Sequence, residues 1–523
     1  MTSRMIDILL APEEAGDEKA IERALMAKAG VKKGHPFAWR VVKRSIDGRG
    51  KKPRIAIRAE VADGALPEAR KPRPFAPIAL NNKEVIVVGA GPCGYFAALG
   101  LLEKGIKPIV LERGKDVRAR RFDLKKIYSE GLVHPHSNYC FGEGGAGTYS
   151  DGKLYTRSSK RGDVPRVLDL FVEHGAKEDI RIDAHPHLGS NVLPKIVRAM
   201  RESIENAGGE IRFESHVESY IVEDKQIKGV RLSDGSSLFA DAVVLATGHS
   251  ARDVYRQLHD QGICVEAKPF AMGVRIEHPQ QVIDEIFYRT GKGKSRNPLL
   301  PAASYRIACQ AEERGVFSFC MCPGGHVVPA STAPGELVLN GMSLSYRNAK
   351  YANAGFVAEV KLSDMDEDVE TNPLAALTFQ EGVEKRVFNA GDGVTQKAPA
   401  QRVEDFLANR PSTDLPESSY VPGLYPANLH NLLPDFIAKS LAEGLATFGK
   451  KYKGFDHPDA LMIAVESRTS SPVRIPRDKT TLMHPNTKYL FPAGEGAGYA
   501  GGIVSAAMDG LNVAAAVAGA LEG

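Results

Sequence analysis

Residues 82–114 read NKEVIVVGAGPCGYFAALGLLEKGIKPIVLERG. Glu84 to Val88 is a short run rich in valine and isoleucine, the pattern of a strand buried on both faces of a parallel sheet. Gly89, Gly91 and Gly94 follow at G-x-G-x-x-G spacing. Phe96, Leu99, Leu101 and Leu102 mark a helix with Gly105 as its expected cap, and Pro108 to Leu111 mark a second strand ending on Glu112. Gly89 permits a tight turn, Gly91 lets the backbone approach a pyrophosphate, and Gly94 lets helix and strand pack closely. The helix N-terminus offers free N–H groups and the positive end of a dipole to phosphates. Glu112 stands where a carboxylate accepts ribose hydroxyls. A glycine triplet alone says little. Strand, helix, second strand and acid at these offsets predict a dinucleotide-binding unit.

The totals bound what surrounds it. A chain of 523 residues, 43% hydrophobic and 25% charged, has room for two or three domains. No stretch approaches the roughly 18 uncharged apolar residues of a membrane span. The apolar tail from Ile503 to Leu521 carries Asp509 and Asn512 and reads as a buried helix. Asp7, Glu13 and Glu14 interrupt the first apolar run, so no signal peptide is expected. Six sparse cysteines point to a reducing, cytoplasmic setting. The net charge of +4 is too small to argue for nucleic acid, yet residues 1–75 hold 17 Lys/Arg against 10 Asp/Glu.

Residues 1–80 read as a small basic α+β module and linker: strands Met5 to Leu10, Phe37 to Ser45 and Arg54 to Val61, a helix Asp17 to Ala29, then a proline-rich stretch from Glu68 to Pro77. Its basic loop is either a solvated hairpin or a contact for an acidic partner, RNA included. Residues 138–154, NYCFGEGGAGTYSDGKL, form a glycine loop suited to lie flat against a ligand, with Phe141, Tyr149 and Leu154 as anchors. Upstream, Arg118, Arg120 and Arg121 are phosphate candidates. Short strands follow a helix from Ser190 to Ala207, and Ala242 to Leu245 leads into Ala246, Thr247 and Gly248, bringing the chain back to the nucleotide sheet. Near the C-terminus YLFPAGEGAGYAGG (489–502) runs into a helix at Ile503. Gly494 and Glu495 lie in this loop. The helix start at Gly501, Gly502 and Ile503 suits negative charge on a reduced flavin.

These residues resemble the flavoprotein oxidoreductases of the glutathione-reductase-like superfamily, and most of all the FAD-dependent, NAD(FAD)-utilising dehydrogenases. The resemblance rests on VVGAGPCGYFAA, LERG, FGEGGAGTYSDGKL, ATGHS, FCMCPGGHVVPA and FPAGEGAGYAGGIVSAAMDGLNVA. It implies an extended FAD with its adenosine at Glu112 and Arg113, backbone contacts at Val217, Ala246, Thr247 and Gly248, and its pyrophosphate at Gly89, Gly91, Pro92, Gly94 and Arg121. The ring then lies between Gly145, Ala146, Gly147, Ser150 and Asp151 on one side and Gly501, Gly502 and Ile503 on the other. It also implies α/β architecture: a Rossmann-like FAD domain (81–255 and 455–523), an inserted α+β substrate domain (256–454) and the N-terminal module.

In the inserted segment Cys320, Cys322 and His326 are the sharpest feature. Two thiols and an imidazole fit a redox dithiol, a buried pair before a Pro-Gly-Gly turn, or a metal set. The C-x-C spacing is tighter than usual for zinc and no fourth ligand is evident, so no metal is assigned. Arg275, Arg306, Arg347, Arg468 and Arg474 are candidate carboxylate clamps, Arg468 foremost. No carboxylate pair, Ser/His/Asp set or P-loop is legible, as expected where a cofactor carries the chemistry. The expected function is hydride transfer between a small organic substrate and flavin N5; no second nicotinamide-binding unit is legible, so reduction by NAD(P)H would need transient docking over the flavin and is left open. The alternatives are a flavin-dependent RNA-modifying enzyme and a non-catalytic FAD-binding protein.

Overall fold

The computed structural model describes residues 3–32, 35–156 and 159–522. Five short parallel strands make the nucleotide sheet, in the order Leu490–Pro492, Ala242–Leu245, Glu84–Val88, Lys107–Leu111, Glu210–Arg212. Val85, Ile86 and Val87 are fully buried, as a strand covered on both faces must be. The helix Pro92–Leu102 covers one face and ends at Glu103, two residues before the expected glycine. The C-terminal helix Ile503–Glu522 lies directly on it: a β-carbon on Gly510 would sit 2.2 Å from the Cys93 carbonyl oxygen. This is the one helix, among the described residues, long and apolar enough to cross a bilayer, and 61% of its apolar window is buried inside the protein. A three-stranded antiparallel meander, Val217–Glu223, Gln226–Leu232 and Ser237–Phe239, completes this part.

The inserted domain is a seven-stranded sheet in the order Ala308–Ala311, Arg314–Cys322, Tyr351–Val360, Phe270–Pro279, Leu461–Glu466, Ala398–Arg402, Leu424–Pro426. The helices Ala375–Asn389 and Asp435–Lys451 pack on it. The expected return to the nucleotide domain at residue 455 is corrected here. Leu461–Glu466 is a buried strand between Phe270–Pro279 and Ala398–Arg402. An apolar run of six residues looks the same in either sheet, so its pattern alone did not assign it. The chain crosses out at Glu266–Ala267 and back at Val473–Arg474, and these two crossings pair with each other as an antiparallel ladder.

The N-terminal module forms as its pattern predicts: a three-stranded antiparallel sheet, Arg4–Leu10, Arg54–Asp63 and Phe37–Asp47 in that order, with the helix Glu18–Ala29 capped by the Asp17 side chain. It packs on the inserted domain rather than on the adjacent nucleotide sheet. Ile6, Ile8, Leu25 and Ile57 share one apolar core with Phe270, Val274 and Leu300. Much of its positive charge is answered internally. Arg58 lies 2.8 Å from Asp7, Arg49 2.7 Å from Asp47, and Arg44 2.8 Å from Asp183 across the domain boundary.

Candidate active site

Glycine spacing sets the first wall of the site. Gly89 takes φ +106, and a β-carbon there would come within 2.5 Å of the Ala246 carbonyl oxygen, so only glycine turns the chain at this point. A β-carbon on Gly94 would fall 1.9 Å from the Gly89 oxygen, which is why helix and strand can close up. Gly91 differs, because nothing of the protein lies within 4 Å of the place its side chain would take. Gly248, Gly501 and Gly502 are likewise open, with nothing of the protein within 4 Å. Other glycines bring the segments together. A β-carbon on Gly147 would lie 3.4 Å from Pro92 and 3.3 Å from Ile503, and one on Gly145 would lie 3.3 Å from Gly91. Gly496 approaches Gly248 as closely. Four glycine-rich segments, distant in sequence, thus border one cradle of bare backbone, and their open positions fit an extended dinucleotide.

Buried side chains hold this backbone in place. The carboxylate of Glu112 accepts from Ala90 N at 3.0 Å through Oε2, and from Gly114 N and Gly142 N at 2.9 Å through Oε1. Its expected ribose role is therefore narrowed: three backbone donors already use it, and only Oε2 keeps room for one more. Arg120 is fully buried and donates to the carbonyls of Asn138, Tyr139, Gly142, Glu143 and Gly145. Arg121, the phosphate candidate, stands exposed one residue on, with its charge felt at the Tyr149 hydroxyl. Glu143 accepts from the Tyr95 hydroxyl at 3.0 Å and from Val117 N at 2.8 Å, tying loop to helix; burial raises its pKa. Gly494 N donates to Asp509 at 2.7 Å, and Arg477 grips that carboxylate. Glu495 sits 3.4 Å from His249.

Beyond Glu112, a crevice of about 110 Å³ opens beside Arg113, His136 and His216, the residue before Val217. The Arg113 guanidinium stacks on Phe141 at 4.4 Å and pairs with Asp253 at 2.9 Å. His216 lies 2.9 Å from the other oxygen of Asp253. Burial and the neighbouring Arg113 push His136 down to about 4, so it stays neutral near pH 7.

The opposite wall belongs to the inserted domain. Ser150 donates to the Gly147 carbonyl at 2.8 Å and fixes the turn before Asp151. Asp151 is buried and bound by Arg347 at 3.0 Å through Nε, by Ser343 and by Lys153. These cations outweigh the burial and hold its carboxyl at about 2. The ammonium of Lys153 contacts the Met321 carbonyl and lies 3.9 Å from Cys320 Sγ. Arg275, fully buried, pairs with Glu466 at 2.9 Å, donates to the Cys320 carbonyl at 3.2 Å and lies 4.0 Å from Cys322 Sγ. Burial raises Glu466 to about 7 even against Arg275. The two thiols therefore face this charged cluster.

The other two expected members do not. His326 points its strand at Met342 and, among the described residues, makes no hydrogen bond to either thiol; burial alone lowers it. Nor does any group of three or more His, Cys, Asp or Glu side chains among the described residues gather to hold a metal. Arg468, expected as a substrate clamp, is corrected to a framework role. It donates to Thr332 at 2.6 Å, Glu336 at 2.8 Å and Glu384 at 2.9 Å. Arg252 closes the same network from Glu336 and Glu384, so no fork is left for a ligand.

Comparison with known proteins bears on this cradle. Residues 193–290 match the model described as FAD dependent oxidoreductase, residues 269–469 that described as FAD-dependent protein, C-terminal domain-like, and residues 2–62 a domain of unknown function. An uncharacterized protein of Clostridium beijerinckii is 39% identical over 538 residues, covering 98% of each chain. The chain belongs to that protein's family, and it is an FAD-dependent oxidoreductase. Protein FixC of Salmonella typhi is 26% identical over 215 residues, covering 40% of this chain and 46% of that one. Among solved structures, CtdE in complex with FAD is 13% identical with a TM-score of 0.32, over 83% of this chain and 84% of that one. The flavoprotein's C-terminal match ends at residue 469, past Leu461–Glu466, in accord with the sheet order.

Proposed function

We propose that this flavoprotein is a dehydrogenase of the NAD(FAD)-utilising kind. In this reading it moves a hydride between a small organic substrate and flavin N5, with NAD(P)H docking transiently as a hydride source. The bound cofactor supplies the two-electron chemistry. The residues around it have other tasks. The turn Gly89–Gly94 and Pro92 receive the pyrophosphate, Glu112 and Arg113 the adenosine, and Gly145–Asp151 with Gly501–Ile503 the ring. The observation that carries the reading is the meeting of Gly147 with Pro92 and Ile503, because it sets the two glycine turns at one cradle under the inserted domain. Lys153, half-buried beside Asp151 and Cys320, is the cation placed to meet an anionic substrate, while Arg275 and Glu466, buried and paired with each other, hold the strands behind it.

The RNA-modifying reading draws less support, since Arg44, Arg49 and Arg58 already face carboxylates of the same chain. The test is anaerobic mixing of the holoprotein with NADH or NADPH, each also deuterated at the transferred position. Bleaching of the flavin band, slowed several-fold by deuterium, is the expected result. Bleaching by one-electron donors alone, with both nicotinamides inert, sinks the hydride reading.

A further inference from the structure

We propose that Cys320 and Cys322 form a thiol–disulfide exchange centre, in which Cys320 attacks a small-molecule disulfide and Cys322 resolves the mixed disulfide. The strand Arg314–Cys322 pairs regularly with Tyr351–Val360 as far as Phe319 and then slips register before Cys322. At the slip Cys320 takes φ +42, a left-handed backbone rarely adopted by residues other than glycine. A bulge of this kind re-aims side chains. Here it turns Cys322 Sγ onto the Cys320 carbonyl oxygen at 3.3 Å and leaves Cys320 Sγ 3.9 Å from the Lys153 ammonium.

The charges around the pair come from four elements. Lys153 and Asp151 face it from the glycine loop, Arg275 from the central strand, Glu466 from the next strand, and Cys322 from its own. Two cations near a thiol favour thiolate. The neighbouring Cys322 thiol, then Lys153 and Arg275, outweigh burial and lower the Cys320 thiol, while the Cys320 side chain and burial push Cys322 up. Exposure divides the labour. Cys320 is half-buried, whereas Cys322 is wholly enclosed.

The exchange balances without a flavin. The Cys320 thiolate attacks one sulfur of RS–SR, a Cys320–SR bond forms, and RS⁻ leaves. Cys322 gives up its proton to the released thiolate and attacks the Cys320 sulfur, which expels the second RS⁻. One disulfide and two protein thiols become two small thiols and one Cys320–Cys322 disulfide, with two electrons passing to the substrate. The centre is therefore testable whether or not hydride transfer to the flavin holds.

The experiment incubates anaerobic holoprotein with oxidised glutathione, quenches in acid, blocks free thiols with N-ethylmaleimide, and reads intact and peptide masses. Wild-type protein is expected to lose two blockable thiols, both in the peptide carrying residues 320–322. Cys322→Ser should stop at a single glutathione adduct on Cys320, and Cys320→Ser should form neither product. Lys153→Met should slow iodoacetamide labelling of Cys320 near pH 6.5 on the order of tenfold, and Lys153→Arg should restore most of it. Flavin spectra and melting curves confirm that each variant is folded. Two thiols that stay blockable in folded wild-type protein, or a folded Cys322→Ser variant with no adduct, overturn the proposal.

Discussion

The two ends of the loop at residues 142–153 are held in opposite ways. Gly142 to Gly147 is held by its own backbone, with carbonyls gripped by Arg120 and an N–H taken by Glu112, all within the nucleotide domain. Asp151 to Lys153 is held through charged side chains that reach Arg347, Ser343 and Met321 of the inserted domain. One loop therefore serves two tasks. Its first half keeps a fixed surface for a cofactor, while its second half couples that surface to the inserted domain.

Substitutions can break this contrast at either end. The largest effect is expected from Arg120→Met, which strips five carbonyls of their buried donor. Stability should fall by about 3 kcal/mol or more, and FAD should be lost, as seen in the melting curve and the protein-bound absorbance. Gly94→Ala should destabilise by about 3 kcal/mol because its methyl group meets the Gly89 carbonyl. Gly91→Val sharpens the contrast: its side chain enters open space, so the apoprotein should melt near wild type yet bind no FAD. A Gly91→Val protein that keeps full FAD occupancy would refute the pyrophosphate assignment.

At the charged end the expected effect is smaller and depends on pH. Asp151 is held at about 2, below its ordinary 3.8, so it stabilises the fold above about pH 4 and loses that contribution as pH falls towards 2. Arg347→Met should cost about 2 kcal/mol at neutral pH, with the gap to wild type closing below about pH 3 while FAD stays bound. Denaturant titrations at several pH values read this directly, and a gap that persists unchanged at low pH counts against it.

The backbone-held half was legible because its signals are local. A glycine at a fixed offset from a strand says where the chain must turn, and the C-terminal glycine loop says the same. Arg120 was within reach too: Val117, Arg120, Leu124 and Ile127 fall on one helical stripe, and an arginine on an apolar stripe is a buried one. The charged half had no such pattern. Arg468 meets Glu336 and Glu384, and Asp151 meets Arg347, across long sequence separations that no local spacing announces. The proximity of Lys153 to Cys320 belongs to the same class.

The shared core of the N-terminal sheet with Phe270 and Val274 has a bearing on how the protein is made. The module is synthesised first, but the surface that covers its apolar face emerges only after roughly 200 further residues, on the order of 10–40 seconds of ribosomal elongation. Throughout that interval the helix Glu18–Ala29, with Ile21 and Leu25 in the same core, is the one cover the module brings with it. Its basic loop and paired surface arginines then supply the charge that keeps the waiting module in solution.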